Sequence, residues 1–359
     1  MKLSSRLDLF AEPETLKMAK LGRELRAKGI DVIDLSLGEP DFDTPDHIKS
    51  SLKKAVDDNY SHYTPVAGYP DLRQAVCTKL KRDNNLDYKP ENILVSTGAK
   101  QSLANVVMAI VNKGDDVVIP TPYWVTYSEI VKLAEGKVTL VRTSIENKYK
   151  LTAEQLEAAL TPTTSLFLFS SPCNPSGSVY TKDELAALAG VFRKYPDVFI
   201  ISDEIYEYIN FVGKHFSLAA IPELKDRVVV INGLSKGFAM TGWRLGAAIA
   251  PTELANQIAK LNTNDESCTT HFVQYGGVEG VRGDQSSIPK MLDTLKERRD
   301  IAVNMLNAMP GVSCHSPEAA FYLFPDVTEA MERKGIDDLA VFAEQALHAT
   351  GVSFCTRRH

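Results

Sequence analysis

The cysteine pattern gives no sign of a disulfide scaffold: Cys77, Cys173, Cys268, Cys314 and Cys355 are odd in number, scattered and without a CxxC pair. Free thiols in a reducing compartment are expected. The seven histidines show no ligand spacing and HExxH is absent, so no metal site is expected. No apolar run approaches the length of a membrane span, and the first residues meet Glu12 and Pro13 before an apolar targeting core could form. The expected location is cytoplasmic. A basic excess is also missing. The net charge is -6 and Lys and Arg are spread along the chain, which excludes a nucleic-acid footprint. Neither GxxxxGKS/T nor GxGxxG occurs, and no segment is repetitive or of low complexity. These absences leave a small molecule as the expected partner.

What is present is a chain of 359 residues, 44% hydrophobic and 24% charged, long enough for a large core and a smaller second one. Apolar runs at 93–96, 117–120, 166–170, 198–202 and 228–232, the last of them β-branched, read as strands, each followed by a polar turn. Helical stretches follow most of these turns. That alternation predicts an α/β fold with a mainly parallel sheet covered on both faces, whose ligand sits beyond the carboxyl ends of the strands. Helices at 14–28, 47–59, 71–82 and 101–111 are expected as well. Beyond about Pro289, helices at 287–308 and 335–349 and a short strand near 320–324 suggest a smaller α+β unit.

The chain is organised around Val228 to Gly246. There an apolar run breaks at Asn232-Gly233-Leu234-Ser235 and delivers Lys236 into a turn. A lysine in a turn is ordinarily solvated. In a pocket, burial and nearby cations would lower its pKa and make it an amine nucleophile towards a carbonyl. Ser235 and Arg244 supply a hydroxyl and a guanidinium fork suited to phosphate, and the turn Gly98-Ala99-Lys100 leaves amides at a helix N-terminus. Asp203, at a strand end, either pairs with a protonated ring nitrogen or caps a following helix. Tyr206 and Asn174 could meet a ring oxygen, and Trp124 either stacks on a ring or belongs to the core. The loop 37–45, dense in Gly, Pro and Asp, is either a rigid turn or faces substrate. The aromatic segment 60–70 is either packing or a contact surface.

The run SKGFAMTGWRLG (Ser235 to Gly246) resembles the lysine motif of the class I aminotransferases, the aspartate-aminotransferase-like, fold type I pyridoxal-phosphate enzymes. SLGEPDFDTP, YTPVAGYPDLR, PTPYWVTY, SPCNPSG and SDEIYEY support it in order and spacing over essentially the whole chain. The resemblance implies a seven-stranded-type central sheet, pyridoxal 5'-phosphate as cofactor, and transfer of an amino group between an L-amino acid, aspartate-like as a first guess, and a 2-oxo acid such as 2-oxoglutarate. The implied route is ping-pong. Lys236 is implied to be the Schiff-base lysine and proton carrier, Asp203 to bind the pyridine nitrogen, and Asn174 and Tyr206 the ring 3-oxygen. Trp124 would cover the ring, with Asn174 also facing substrate. Gly98, Ala99, Lys100, Ser235 and Arg244 would surround the phosphate, and Gly38 would meet the substrate carboxylate. Tyr63 would reach the partner's phosphate in a homodimer. The implied division is an arm and part of the small domain at 1–45, a large cofactor domain at 46–282, and an incomplete small domain at 283–359.

Two positions depart from the family pattern. Gly233 stands where many relatives carry a phosphate-binding hydroxyl. The chain also stops at Thr356-Arg357-Arg358-His359 before any match to the family's carboxylate-binding arginine; Arg357 and Arg358 come too early for that role. A lyase or synthase on the same fold, and a truncated chain that binds cofactor without turnover, stand as alternatives.

Overall fold

The computed structural model describes residues 3–10 and 14–356. Glu12, Pro13, Arg357 and Arg358 lie outside them. Eleven strands are described: β1 (Ile33–Asp34), β2 (Ile93–Thr97), β3 (Asp116–Thr121), β4 (Lys137–Arg142), β5 (Thr164–Ser170), β6 (Phe199–Asp203), β7 (Val228–Gly233), β8 (Leu245–Ile249), β9 (Ser313–Cys314), β10 (Pro325–Asp326) and β11 (Val352–Ser353). Seven of them form one sheet in the order β2-β8-β7-β6-β5-β3-β4. Four of its six neighbour pairs are parallel; β8 breaks the pattern by running antiparallel to both β2 and β7.

That reversal matters for the site. Because β8 points the other way, its start rather than its end lies at the edge where β2 and β7 finish, with Leu245 opposite Thr97 and Gly246 opposite Gly233. Arg244, just before β8, is therefore delivered to the same edge as the turns after β2 and β7.

Alternate residues of the central strands feed opposite cores, as a pleated strand buried on both faces requires. Phe167 and Phe169 of β5 join Val228 and Val230 of β7 on one face. Leu166 and Leu168 join Val229 and Ile231 on the other. Each fully buried Leu or Phe of this kind contributes about 1.5–3 kcal/mol of transfer free energy. Helices Ala99–Ile110, Thr126–Leu133, Lys182–Phe192 and Thr252–Asp265 cover the faces. Thr152 and Thr181 start their helices as capping boxes with Gln155 and Glu184.

The structure departs from the sequence reading in three places. No helix follows Asp203. Residues 204–209 form successive turns, with Glu207 N–H donating to Glu204 O and Ile209 N–H to Tyr206 O at 3.0 and 2.8 Å. Tertiary partners hold them there: Glu204 accepts from Ser202 and Ser217, while Glu207 accepts from Asn84 and Asn232 and pairs with Lys79, all inside the protein. The helix expected from Gly335 begins at Leu339 instead, because Gly335 closes the short helix Thr328–Lys334 in the left-handed region and Asp338 caps the next helix. The strand expected near 320–324 is irregular chain; β9 and β10 pair on either side of it. Residues 318–320 instead bond to the turn at 209–211, Phe211 N–H to Glu318 O and Ala320 N–H to Ile209 O at 2.9 and 2.7 Å. At the chain's two ends, β1 pairs in parallel with β11. Among the described residues no helix is long and apolar enough to cross a membrane.

Candidate active site

The turn after β7 is fixed from below by its apolar side chains. Leu234, Phe238 and Met240 are buried in one cluster with Leu245, and Met240 N–H closes the turn on Ser235 O at 3.1 Å. Ser235 is buried in it. Lys236 is left pointing the other way. Its Nζ donates to Gly38 O and lies 5.6 and 5.5 Å from the ring centres of Tyr206 and Phe321. Burial lowers its pKa to about 8, Arg244 pushes in the same direction, and the carboxylates of Glu39 and Asp203 oppose the shift. The loop that supplies Gly38 is tied to this turn: Thr44 donates to Ala239 O and Thr241 to Glu39, each at 2.8 Å.

Asp203 ends β6 within the protein. Its Oδ2 accepts from the Tyr127 hydroxyl at 2.6 Å and its Oδ1 from Ile205 N–H at 3.2 Å. Desolvation raises its pKa to about 6 against the pull of these bonds and of Lys236. Trp124 stands edge-on to Tyr127, 5.7 Å between ring centres, with Lys100 Nζ 4.9 Å above the Trp124 ring. On the other side, Tyr206 is buried, and its hydroxyl lies 2.6 Å from that of Tyr322. Asn174 Nδ2 donates to the same Tyr322 oxygen at 3.3 Å.

A third group gathers at the β2–β8 edge. Gly98 (φ +83) precedes helix Ala99–Ile110, and a Cβ there would overlap the Arg244 guanidinium; a Cβ at Gly246 would overlap the Ala99 amide. Backbone and guanidinium thus form a cradle into which amides and a cation converge. Burial first and Arg244 second lower the pKa of Lys100, so the cations here repel one another. Gly233 has no room for a side chain, since a Cβ would press on the β8 backbone at Leu245 and Gly246.

Gly38, Asn174, Asp203, Tyr206 and Lys236 therefore meet, with Trp124 joined to them through Tyr127, and Gly98, Ala99, Lys100 and Arg244 adjoin along the same sheet edge. Tyr63 does not. It is 88% exposed on the surface, whereas its neighbours Tyr60 and Tyr69 pack against His271 and Tyr275. Tyr127 and Tyr322 were not among the residues expected from sequence. Tyr127 had a signal, lying three residues past Trp124 in the first turn of a helix; Tyr322, inside an apolar run, had none. Among the described residues no cluster of His, Cys, Asp and Glu could hold a metal ion.

A sequence model of the family described as "Aminotransferase class I and II" matches residues 30–354. The chain belongs to that family. It is a pyridoxal-phosphate-dependent aminotransferase with the fold type I architecture. It is 44% identical over 359 residues to an aspartate/prephenate aminotransferase of Cereibacter sphaeroides, covering 98% of this chain and 90% of the relative. Against the aspartate aminotransferase of Bacillus subtilis it is 39% identical over 355 residues, with the same coverage. The solved aspartate aminotransferase of Rhizobium meliloti superposes with a TM-score of 0.94 at 38% identity, covering 98% of this chain and 90% of that one. The Thermus thermophilus aspartate aminotransferase with maleate gives 0.92 at 34%, covering 98% and 91%.

Two features of the site fit the family's cofactor. The buried carboxylate of Asp203, held above its ordinary pKa by desolvation, favours a cationic partner such as a protonated ring nitrogen. The cradle at Gly98 and Arg244, crowded with positive charge, favours an anion such as phosphate.

Proposed function

We propose that this aminotransferase moves an amino group between an L-amino acid, aspartate first, and a 2-oxo acid, by a ping-pong route in which each substrate meets the same lysine in turn. The observation that carries the reading is Lys236: its amine is desolvated, poised near pH 8, and set between Asp203 and the Gly38 loop. When bound, pyridoxal 5'-phosphate supplies an aldehyde carbon for attachment and a ring that absorbs the electron pair left when the substrate's Cα proton departs.

The chain's own residues do the rest. Lys236 Nζ is the attachment point and afterwards, freed, accepts the proton from the substrate Cα and returns one. Asp203 holds the ring nitrogen protonated, with Tyr127 orienting its carboxylate. Asn174 and Tyr206 hold the ring 3-oxygen, and Trp124 covers the ring face. The amides at Gly98, Ala99 and Lys100, with Ser235 and Arg244, hold phosphate. Gly38 presents its backbone to the substrate carboxylate. Residues 46–282 would act as the cofactor domain, with 1–45 and 283–359 forming the smaller one, in a cytoplasmic homodimer whose Tyr63 serves the partner's site. Because the Cereibacter relative is an aspartate/prephenate aminotransferase, prephenate is, besides 2-oxoglutarate, an acceptor to try.

The test is the visible spectrum of the purified chain before and after aspartate, with borohydride reduction and peptide mapping. A band trapped on Lys236 that aspartate converts, restored by a 2-oxo acid, is the expected result. Turnover that needs no 2-oxo acid would point to a lyase or synthase, and a band no amino acid alters would point to a chain that binds cofactor without turnover.

A further inference from the structure

Tyr322 comes from the irregular segment that crosses from residues 318–320 into the site, and its hydroxyl sits where three candidate residues meet. It lies 2.6 Å from the Tyr206 hydroxyl and accepts from Asn174 Nδ2 at 3.3 Å. It also lies so close to Gly38 that a Cβ there would overlap it. Phe321 and Tyr322 flank the Tyr206 ring at 5.7 and 5.6 Å between centres. A phenol has one proton to donate. With the Asn174 amide donating into the Tyr322 oxygen, the Tyr322 proton is available to Tyr206. Tyr206 then keeps its own proton for a third group.

We infer that Tyr322 is a positioning residue that donates to Tyr206 and thereby aims the Tyr206 O–H, together with Asn174, at the ring oxygen of the cofactor. The inference rests on the cofactor reading above. Accepting one hydrogen bond makes Tyr206 a stronger donor in the next, because linked hydrogen bonds polarise one another. The opposite polarity, Tyr206 donating into Tyr322, would use up the only proton Tyr206 has.

The test compares two ligands on the full chain by equilibrium dialysis: pyridoxal 5'-phosphate and its 3-deoxy analogue, which lacks the ring oxygen. Tyr322→Phe is expected to weaken binding of the first by about three- to tenfold, the worth of one hydrogen bond, and to leave the second unchanged. A variant that merely loosened the fold would weaken both. Equal loss for both ligands, or tighter binding of pyridoxal phosphate, overturns the inference. In a Tyr206→Phe background the added Tyr322→Phe change should have no further effect, and an additive loss would also overturn it. If Tyr322→Phe fails to fold, Gly38→Ala, which displaces the hydroxyl without removing it, should show the same ligand selectivity; equal weakening of both ligands would overturn the inference. A wild-type chain that binds both ligands equally would overturn the inference, since the ring oxygen would then have no partner; one that binds neither would overturn the cofactor reading itself, an outcome distinct from those of the variants.

Discussion

At the scale of single residues, Lys236 and Asp203 are perturbed in opposite directions, and each shift has a measurable consequence. Lys236 is lowered from 10.5 to about 8, so between those values the unfolded chain holds a proton the folded chain has shed. Burying the ammonium therefore costs most below pH 8, and the cost fades as pH rises towards 10.5. In the cofactor-free protein, Lys236→Met should raise Tm at pH 7 by about 2–4 °C by calorimetry, with the gain vanishing near pH 10.5. The same substitution abolishes turnover and borohydride trapping. Asp203 is raised from 3.8 to about 6, so the folded chain holds the extra proton between these values and stability falls as pH rises through them. A cationic ring nitrogen favours the ionised form. Cofactor retention on dialysis should therefore improve as pH rises through about 6, and Asp203→Asn should erase that step and cut turnover by about a hundredfold or more. Of the site residues, Lys236, Asp203, Asn174 and Tyr206 were legible because each lies at or just past the end of an apolar strand. Tyr322 was not, since its position depends on pairing between 209–211 and 318–320, which no local pattern encodes.

At the scale of elements, the cradle is set by how closely β2 and β8 approach. Gly98 and Gly246 both lack room for a Cβ, but against different neighbours. At Gly98 the obstacle is the end of a flexible guanidinium and the backbone is at φ +83, so Gly98→Ala should leave a folded protein, destabilised by about 1 kcal/mol or more, that loses cofactor severalfold faster on dialysis. At Gly246, inside β8, the obstacle is the Gly98–Ala99 backbone where helix Ala99–Ile110 begins. Gly246→Ala should lower Tm far more than Gly98→Ala does, and comparing the two melting curves checks the difference. The apolar runs of β2, β3, β5, β6 and β7 announced themselves in sequence. Strand β4 did not, because at the sheet edge it is only partly covered and carries Lys137 and Arg142. β8 did not because Leu-Gly-Ala-Ala-Ile is built largely of small residues, and its reversed direction follows from its neighbours rather than its composition. The turns at 204–209 illustrate a third case, in which buried partners for Glu204 and Glu207 outweigh the chain's local tendency to coil into a helix.

At the scale of the whole molecule, Lys79 and Glu207 form a buried ion pair that links helix Pro70–Asn84 to the turn carrying Tyr206. Lys79→Met leaves Glu207 charged and sealed from water, a change expected to cost about 3–5 kcal/mol, read as a lowered urea midpoint. Tyr63 belongs to the same scale: if it serves a partner subunit, Tyr63→Ala should weaken cofactor retention most at concentrations where sedimentation still shows a dimer. The pairing of β1 with β11 carries a consequence in time. The Gly38 loop hangs from β1, yet that strand's hydrogen-bonding partner is made more than 300 residues later. At translation speeds of about 5–20 residues per second, the loop that accepts the Lys236 hydrogen bond waits roughly 15–60 s for its anchor on the ribosome. A nascent chain can thus build its central sheet well before β1 gains its partner, and substrate binding should be acquired only once residues 352–353 have been made.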